Sequence, residues 1–183
     1  MKLDDPVAFF LKHESQIREW ANLEKRVQAL ADRFFSSFAP DIERLALELS
    51  LKWGFEDSAW PKYRLWPVSW EYKEPGDGGV AIGLEWRRGK ADFKHACMGV
   101  ICRDSSRFGG SIRAALAPLR KKGRYNQSEW WPIWRYEPPS NPKYWADLDG
   151  FKAELIGRLK ALYLEVSPFI SEVVRAGAGE GLG

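Results

Sequence analysis

The sequence predicts an α+β fold, in which an N-terminal helical hairpin and a C-terminal helix pack on a three- or four-stranded, mainly antiparallel sheet. Two observations lead to this prediction. In the middle of the chain, large apolar residues alternate with polar ones, which is the period of a strand. Near both ends, apolar residues recur at steps of three and four, which is the period of a helix with one apolar face.

The sheet is predicted between Tyr63 and Cys102. Its first strand has a large apolar residue at every second position: Trp66, Val68, Trp70 and Tyr72. Residues 74–79 then form a glycine-rich loop. The second strand repeats the alternation, which makes an antiparallel hairpin, at Val80, Ile82, Leu84 and Trp86. Residues 93–102 are apolar on both faces and are expected to form a central or well-covered strand.

Two helices are predicted before the sheet. Asp4, Asp5 and Pro6 are typical of a helix start. An apolar stripe follows from Ile17, at Trp20, Leu23, Val27, Leu30 and Phe34. The second helix should begin near Pro40, end at Gly54, and bury Ile42, Leu45, Leu49 and Trp53. Residues 54–61 would then be a loop.

The C-terminal half is expected to contain a short helix, a basic loop, an edge segment and a long helix. The short helix covers residues 111–116 before Pro118, and residues 121–128 form the basic loop. Residues 129–136 are an edge strand at best, because Pro132 has no backbone N–H. Asp147 or Asp149 caps the last helix, which Pro168 would kink or divide. Its inward positions are Phe151, Leu155, Leu159, Leu162, Val166, Ile170 and Val173.

Composition is typical of one globular domain, expected over residues 1–175 with a flexible glycine-rich tail at 176–183. The formal charge of +3 indicates no general affinity for nucleic acid or membrane. The ten tryptophans are expected mainly in the core, with an aromatic binding surface as the alternative. Cys97 and Cys102, at an odd spacing, should face opposite sides of one strand and form no disulfide. Without a signal-peptide or membrane-span pattern, a cytoplasmic protein is expected.

Metal and nucleophile sites are disfavoured by the sequence. The two histidines, His13 and His95, lie in different predicted elements, and there is no HExxH, paired-cysteine, P-loop, GxGxxG or GxSxG motif. Neither cysteine has a base placed beside it by the sequence pattern. We therefore expect no metal ion and no cofactor.

One acidic pattern has a catalytic interpretation. Asp57 followed by Glu71 and Lys73 matches the carboxylate and Glu-x-Lys arrangement with which PD-(D/E)XK nucleases hold Mg²⁺ and position a water molecule. The pattern has little specificity, because Asp77 with Asp92-Phe93-Lys94 matches it equally well. A Mg²⁺-dependent nuclease is therefore the third choice, and the first expectation is that the chain has no catalytic residues.

A basic and aromatic segment is the predicted binding site. Its cations would hold phosphates and its aromatic faces would stack bases, as in proteins that bind single strands. Tryptophan, tyrosine and arginine are equally the favoured anchors of protein interfaces. A solvated basic loop with inward tryptophans is the structural alternative. The residues are Arg120, Lys121, Lys122, Arg124, Tyr125, Trp130, Trp131 and Trp134.

Four short motifs and a long closing helix occur in a recognisable order. The motifs are Ile17-Arg18-Glu19-Trp20, Ile82-Gly83-Leu84-Glu85, Gly99-Val100-Ile101 and Trp131-Pro132-Ile133-Trp134. In this order the chain resembles the non-catalytic accessory region that follows the catalytic domain in some bacterial and phage PD-(D/E)XK nuclease-type proteins. The resemblance implies a free-standing accessory domain. It transfers no catalytic residue, because the matching positions are structural tryptophans and glycines.

Three functions are therefore carried forward. The first is a non-catalytic module that binds a protein partner, in bacterial or phage defence or counter-defence. The second is nucleic-acid binding through the basic and aromatic segment, and the third is the nuclease. No membrane partner is expected, and the sequence leaves the oligomeric state open.

Overall fold

The structure, a computed structural model, describes residues 4–70, 79–87, 93–102 and 108–179. It has the predicted α+β architecture, with an N-terminal helical hairpin, a C-terminal helix and an antiparallel sheet. The elements in chain order are α1 (Asp5–Ser36), α2 (Ala39–Glu48), β1 (Lys52–Glu56), β2 (Lys62–Trp66), β3 (Ala81–Glu85), β4 (Cys97–Ile101), α3 (Gly109–Leu119), β5 (Ile133–Tyr136) and α4 (Leu148–Gly179).

Within the described residues, the sheet is a five-stranded meander in the order β1-β2-β3-β4-β5, and every neighbouring pair is antiparallel. It has one strand more than the upper limit of the prediction. Its register aligns one buried residue from each of the last four strands: Leu65, Ile82, Val100 and Ile133. This row lies on the face that the helices cover, because α2 and α4 pack against the sheet.

The additional strand, β1, contains the residues that were predicted to end the second helix. That prediction was wrong: α2 ends at Glu48, and Trp53 and Gly54 lie in β1. Ser50 has a φ of 55°, the left-handed conformation that often ends a helix. The N–H of Leu51 donates to the carbonyl of Ala46 across 2.7 Å, which completes a Schellman-type ending.

The first predicted strand is also displaced along the chain. β2 ends at Trp66, and a 3₁₀ turn, Val68–Trp70, replaces the expected continuation. Pro67 cannot donate to a sheet ladder, and its carbonyl accepts from the N–H of Trp70 across 2.9 Å. Trp70 is buried, with its indole N–H donating to the Ser171 hydroxyl. Tyr72 lies outside the described residues.

The second and third predicted strands are confirmed as β3 and β4. Ile82 and Leu84 of β3 face the core as predicted. β4 is an internal strand covered on both faces, preceded by a 3₁₀ turn at Phe93–His95. Cys97 and Cys102 are both buried, and they are not joined in a disulfide.

The long C-terminal helix α4 has the predicted inward face. Six of its seven predicted positions are buried and the seventh, Val173, is partly buried; the six are Phe151, Leu155, Leu159, Leu162, Val166 and Ile170. The Asp147 carboxylate accepts from the Gly150 N–H and caps the helix. The helix continues through Pro168 to Gly179, and therefore overlaps the start of the predicted tail. Residues 180–183 lie outside the described part of the chain.

Phenylalanines form the centre of the core. The ring of Phe34 stacks on that of Phe151 with 5.5 Å between centroids. The expectation that most tryptophans lie in the core holds only in part: Trp70 and Trp86 are buried and Trp53 and Trp66 pack against the core, while the other six are partly or fully exposed. No helix among the described residues is long and apolar enough to cross a membrane.

Candidate interaction surfaces

Helix α1 extends far beyond the core. It starts as predicted: the Asp4 carboxylate caps it by accepting from the Val7 N–H, and Pro6 lies in the first turn. The buried residues of this 32-residue helix are confined to its last two turns, at Ala31, Phe34 and Phe35. The apolar side chains before them are exposed to solvent.

The exposed stripe of α1 consists of four residues at spacings of three, four and three. Their exposed fractions are 66% for Trp20, 46% for Leu23, 39% for Val27 and 38% for Leu30. The predicted amphipathic helix therefore forms, but its apolar face joins the core only at Phe34. No other described part of the chain buries the remainder of that face.

The helix axis bends near its N-terminus. His13 has the non-helical angles φ −119° and ψ 17°, which separate a short first segment from the straight segment that bears the stripe. The His13 ring lies 4.5 Å from the Phe9 ring, centroid to centroid, and its Nδ1 lies 3.1 Å from Oε1 of Gln16. The first segment exposes further apolar side chains, at Val7, Phe9, Phe10 and Leu11.

A second candidate surface is a groove on the face of the sheet away from the helices. It encloses about 430 Å³ and is lined by Trp60, Lys62, Glu85, Ile101, Trp130 and Trp131. Gly83 of β3 lies under it, since a Cβ there would come within 3.0 Å of the Trp131 ring. A glycine at this position therefore lets Trp131 lie directly on the strand.

Two charged side chains, Lys62 and Glu85, line the groove and belong to a network of ion pairs. Lys62 lies 3.2 Å from Glu56 and 3.6 Å from Glu85, and Glu56 also pairs with Arg64 at 3.0 Å. Burial raises the pKa of Glu85, while Lys62 acts in the opposite direction. The Cys97 thiol lies 4.0 Å from the Glu85 carboxylate. Burial, followed by repulsion from Glu85, raises the pKa of Cys97 to about 12.

Cys97 is therefore a poor nucleophile. We expect both cysteines of the folded protein to resist a disulfide-exchange reagent at pH 8, because the pKa of Cys97 is about 12 and Cys102 is buried. The thiolate fraction of Cys97 at that pH would be roughly one in ten thousand. Absorbance of the released chromophore measures the reaction. The control in 6 M guanidinium should titrate two thiols, and fast labelling of either cysteine in the native protein would contradict this prediction.

The predicted basic segment forms a π-helical turn, Arg120–Arg124, directly after α3. Arg120, Lys121 and Lys122 are exposed there, whereas the side chain of Arg124 is outside the described part. Tyr125 is buried, and its hydroxyl donates to the Glu165 carboxylate across 2.6 Å. Its ring is therefore not placed to stack on a base.

The predicted tryptophans lie at the sheet rather than in one patch with the cations. Trp130 is exposed and Trp131 half-buried, and both line the groove. Trp134 is half-buried in β5, edge-on to Tyr136. Among the described residues that line the groove, none comes from the basic turn. The segment thus supplies two surfaces instead of one, and its role in binding stays a prediction.

The nuclease pattern falls mostly on residues that are not described. Asp57 is exposed just after β1, while Glu71, Lys73, Asp77 and Asp92 lie outside the described residues, as does the side chain of Lys94. Within the described ranges, no three His, Cys, Asp or Glu side chains gather closely enough to hold a metal ion.

Comparisons with known proteins assign this chain to no family: no protein-family model, curated protein or solved structure matches it. The apolar stripe of α1 was predicted, but it was not predicted as a candidate binding surface. The signal was its regular spacing of three and four, which suits a second helix as well as a core.

Proposed function

We propose that this protein is a non-catalytic interaction module that binds a protein partner through the exposed stripe of α1. The observation that supports it is the exposure of Trp20, Leu23, Val27 and Leu30 in one row on a helix that projects from the core. Contiguous apolar surface of this kind is uncommon on soluble monomers and typically marks an interaction site.

The stripe can supply a useful part of a binding free energy. Complete burial of one large apolar side chain is worth about 1.5 to 3 kcal/mol. Each of the four residues has between 38% and 66% of its surface left to bury. Covering them would therefore contribute roughly 3 to 6 kcal/mol before the entropy of association is subtracted. The partner must add contacts beside the stripe to form a stable complex.

The spacing of the stripe indicates the shape of that partner. Steps of three and four on an α-helix form a narrow seam that a second helix can cover side by side. A flat sheet surface would leave the flanks of the seam uncovered. A partner that presents an amphipathic helix therefore fits the stripe best.

Substituting the centre of the stripe should abolish partner binding. We expect a variant with Leu23→Glu and Val27→Glu to lose at least 90% of any protein captured from nuclease-treated host lysate, because two charges would be desolvated in the contact. Quantitative mass spectrometry of the eluates measures the loss. The melting temperature should change little, since both positions are exposed.

The matched control is the pair Lys121→Ala and Lys122→Ala, which changes an exposed surface elsewhere on the protein. It should retain the captured partner. The proposal fails if the stripe variant captures the same proteins in the same amounts as the unchanged chain and also has the same oligomeric state.

A setting in bacterial or phage defence or counter-defence is the part of the proposal that rests on the resemblance alone. An interaction module without a catalytic centre would act there by occupying a surface of another protein. Identification of the stripe-dependent partner is the direct test of this setting.

Nucleic-acid binding is a second candidate function, supported by the three consecutive exposed cations Arg120, Lys121 and Lys122. Phosphate contacts would make the affinity fall steeply with salt. The buried ring of Tyr125 removes one of the predicted stacking partners. A salt titration of binding to a fluorescent oligonucleotide, with the Lys121→Ala/Lys122→Ala variant beside it, distinguishes this function from the first.

A further inference from the structure

We infer that the exposed stripe of α1 pairs with the same stripe of a second copy of this chain, with the two helices antiparallel. This inference rests on the proposed function, in which the stripe is a docking surface, and it specifies the partner. In the register we assign, Trp20 of one copy lies opposite Leu30 of the other, and Leu23 lies opposite Val27.

The side chains of the stripe fit this register. Their spacing of three, four and three places Trp20 and Val27 at the a positions of a heptad and Leu23 and Leu30 at the d positions. In an antiparallel pair each a residue faces a d residue of the other helix. The four layers would then be Trp–Leu, Leu–Val, Val–Leu and Leu–Trp, so that no layer pairs two tryptophans.

Charges beside the seam favour the antiparallel orientation. Glu19 and Arg33 occupy the position just before an a residue, and in the antiparallel register Glu19 of each copy meets Arg33 of the other. The dimer would gain two such opposite-charge pairs. Both side chains are exposed on α1, so either can reach across the seam.

A parallel pair would have the opposite electrostatics. Glu19 of each copy would then meet Glu24 of the other, which gives two like-charge contacts. Arg26 would lie opposite the uncharged Ala31 of the other copy and would form no ion pair. The antiparallel register also has like-charge contacts, since Glu24 and Arg26 each meet their own copy near the two-fold axis. In the antiparallel register, the two Glu19–Arg33 pairs offset these like-charge contacts. The parallel register has no opposite-charge pair that could offset its two Glu19–Glu24 contacts.

The bend at His13 fits the same arrangement. The next position of the apolar face after Leu30 is Phe34, whose side chain is buried in the core. In this register Phe34 lies opposite Gln16 of the other copy. If α1 continued straight from Gln16 toward its N-terminus, it would collide with the core of the other copy. The non-helical angles of His13 change the direction of the chain within the next turn. The exposed first segment, with Phe9 and Phe10, would then lie beside the other copy's body.

Sedimentation velocity of the purified full chain, from about 1 to 200 μM, tests the inference. We expect a monomer–dimer equilibrium. Glu19→Arg should weaken the dimer about tenfold, because each new arginine meets Arg33. The double change Glu19→Arg with Arg33→Glu should restore it. A parallel dimer would respond in the opposite sense, since Glu19→Arg would create two attractive contacts with Glu24.

Each outcome decides a separate statement. A chain that stays monomeric over the whole range overturns the inference, and a dimer that Glu19→Arg strengthens overturns the antiparallel register. A monomer that still captures another protein through Leu23 and Val27 leaves the proposed function standing. A monomer without stripe-dependent capture overturns both. Far-UV circular dichroism of each variant shows that α1 is still helical, and Glu172→Ala, at an exposed position of α4, should leave the dimer unchanged.

Discussion

Replacing Gly99 with alanine should destabilise the protein by about 3 kcal/mol, because β4 and β5 are too close at this point for a methyl group. A Cβ at Gly99 would overlap the carbonyl oxygen of Ile133 and lie 2.8 Å from Cα of Trp134. Both are backbone atoms of β5, so no side-chain rotation relieves the contact. The edge strand must move away and weaken the pairing of Gly99 with Trp134.

Urea denaturation of Gly99→Ala against the unchanged chain measures this effect. The matched control is Gly157→Ala, at an exposed position of α4 where nothing lies within 4 Å of a Cβ. It should stabilise the protein by about 0.5 to 1 kcal/mol, because glycine is a poor helix former. Equal stability of Gly99→Ala and the unchanged chain would show that the two strands do not approach so closely.

The parts of the fold that were predicted correctly are those where the hydrophobic pattern has one simple interpretation. Ile82 and Leu84 alternate with smaller or polar residues, and this period of two places both side chains on one face of β3, where they are buried in the core. In α4 the apolar positions repeat over five turns, so the buried face follows directly from the helical period. In both elements, local pattern and tertiary packing agree.

β1 was missed because its neighbours give misleading local signals. Gly54 is a typical helix-ending residue, yet α2 already ends at Glu48, and the left-handed residue that follows it is Ser50, a residue type that rarely adopts a positive φ. Trp53 continues the helical spacing of α2 in the sequence but pairs with Leu65 in the sheet. Only the pairing with β2, which follows after residues 57–61, decides between these two structures, and the helical spacing of α2 carries no information about that pairing.

The candidate surfaces were harder to predict than the fold. Periodicity shows that α1 is amphipathic, but it does not show whether the same molecule covers the apolar face. Here α4 and α2 pack on the sheet, and α1 adds to the core only near its C-terminus. Trp20 to Leu30 therefore extend past the part of the protein that could have buried them.

The basic and aromatic segment illustrates a second limit. Tyr125 follows the cations in sequence and was grouped with them, but it is turned inward by Glu165, which is 40 residues away. Trp131 lies against Gly83 of β3, and Trp130 lines the same groove. Residues that are adjacent in the sequence need not lie on the same surface, because contacts with distant residues determine which way each side chain points.

Replacing Glu137 with alanine should destabilise the protein by about 3 kcal/mol, because it removes the centre of an ionic cluster that the sequence did not reveal. Glu137 is only 4% exposed and pairs with two arginines, Arg135 and Arg158. Arg158 also donates to the carbonyl of Pro138 and pairs with Glu154. Without the carboxylate, two partly buried guanidinium groups would lie close together with no charge between them.

Thermal and urea denaturation at pH 7 measure the loss for Glu137→Ala and for Glu137→Gln, which keeps the shape but not the charge. The amide should lose about half as much, since it can still accept one hydrogen bond. The control is Glu14→Ala, which breaks an exposed pair with Arg18 and should cost less than about 0.5 kcal/mol. If Glu137→Ala lost no more than this control, the arginines would be stabilised by water rather than by the buried carboxylate.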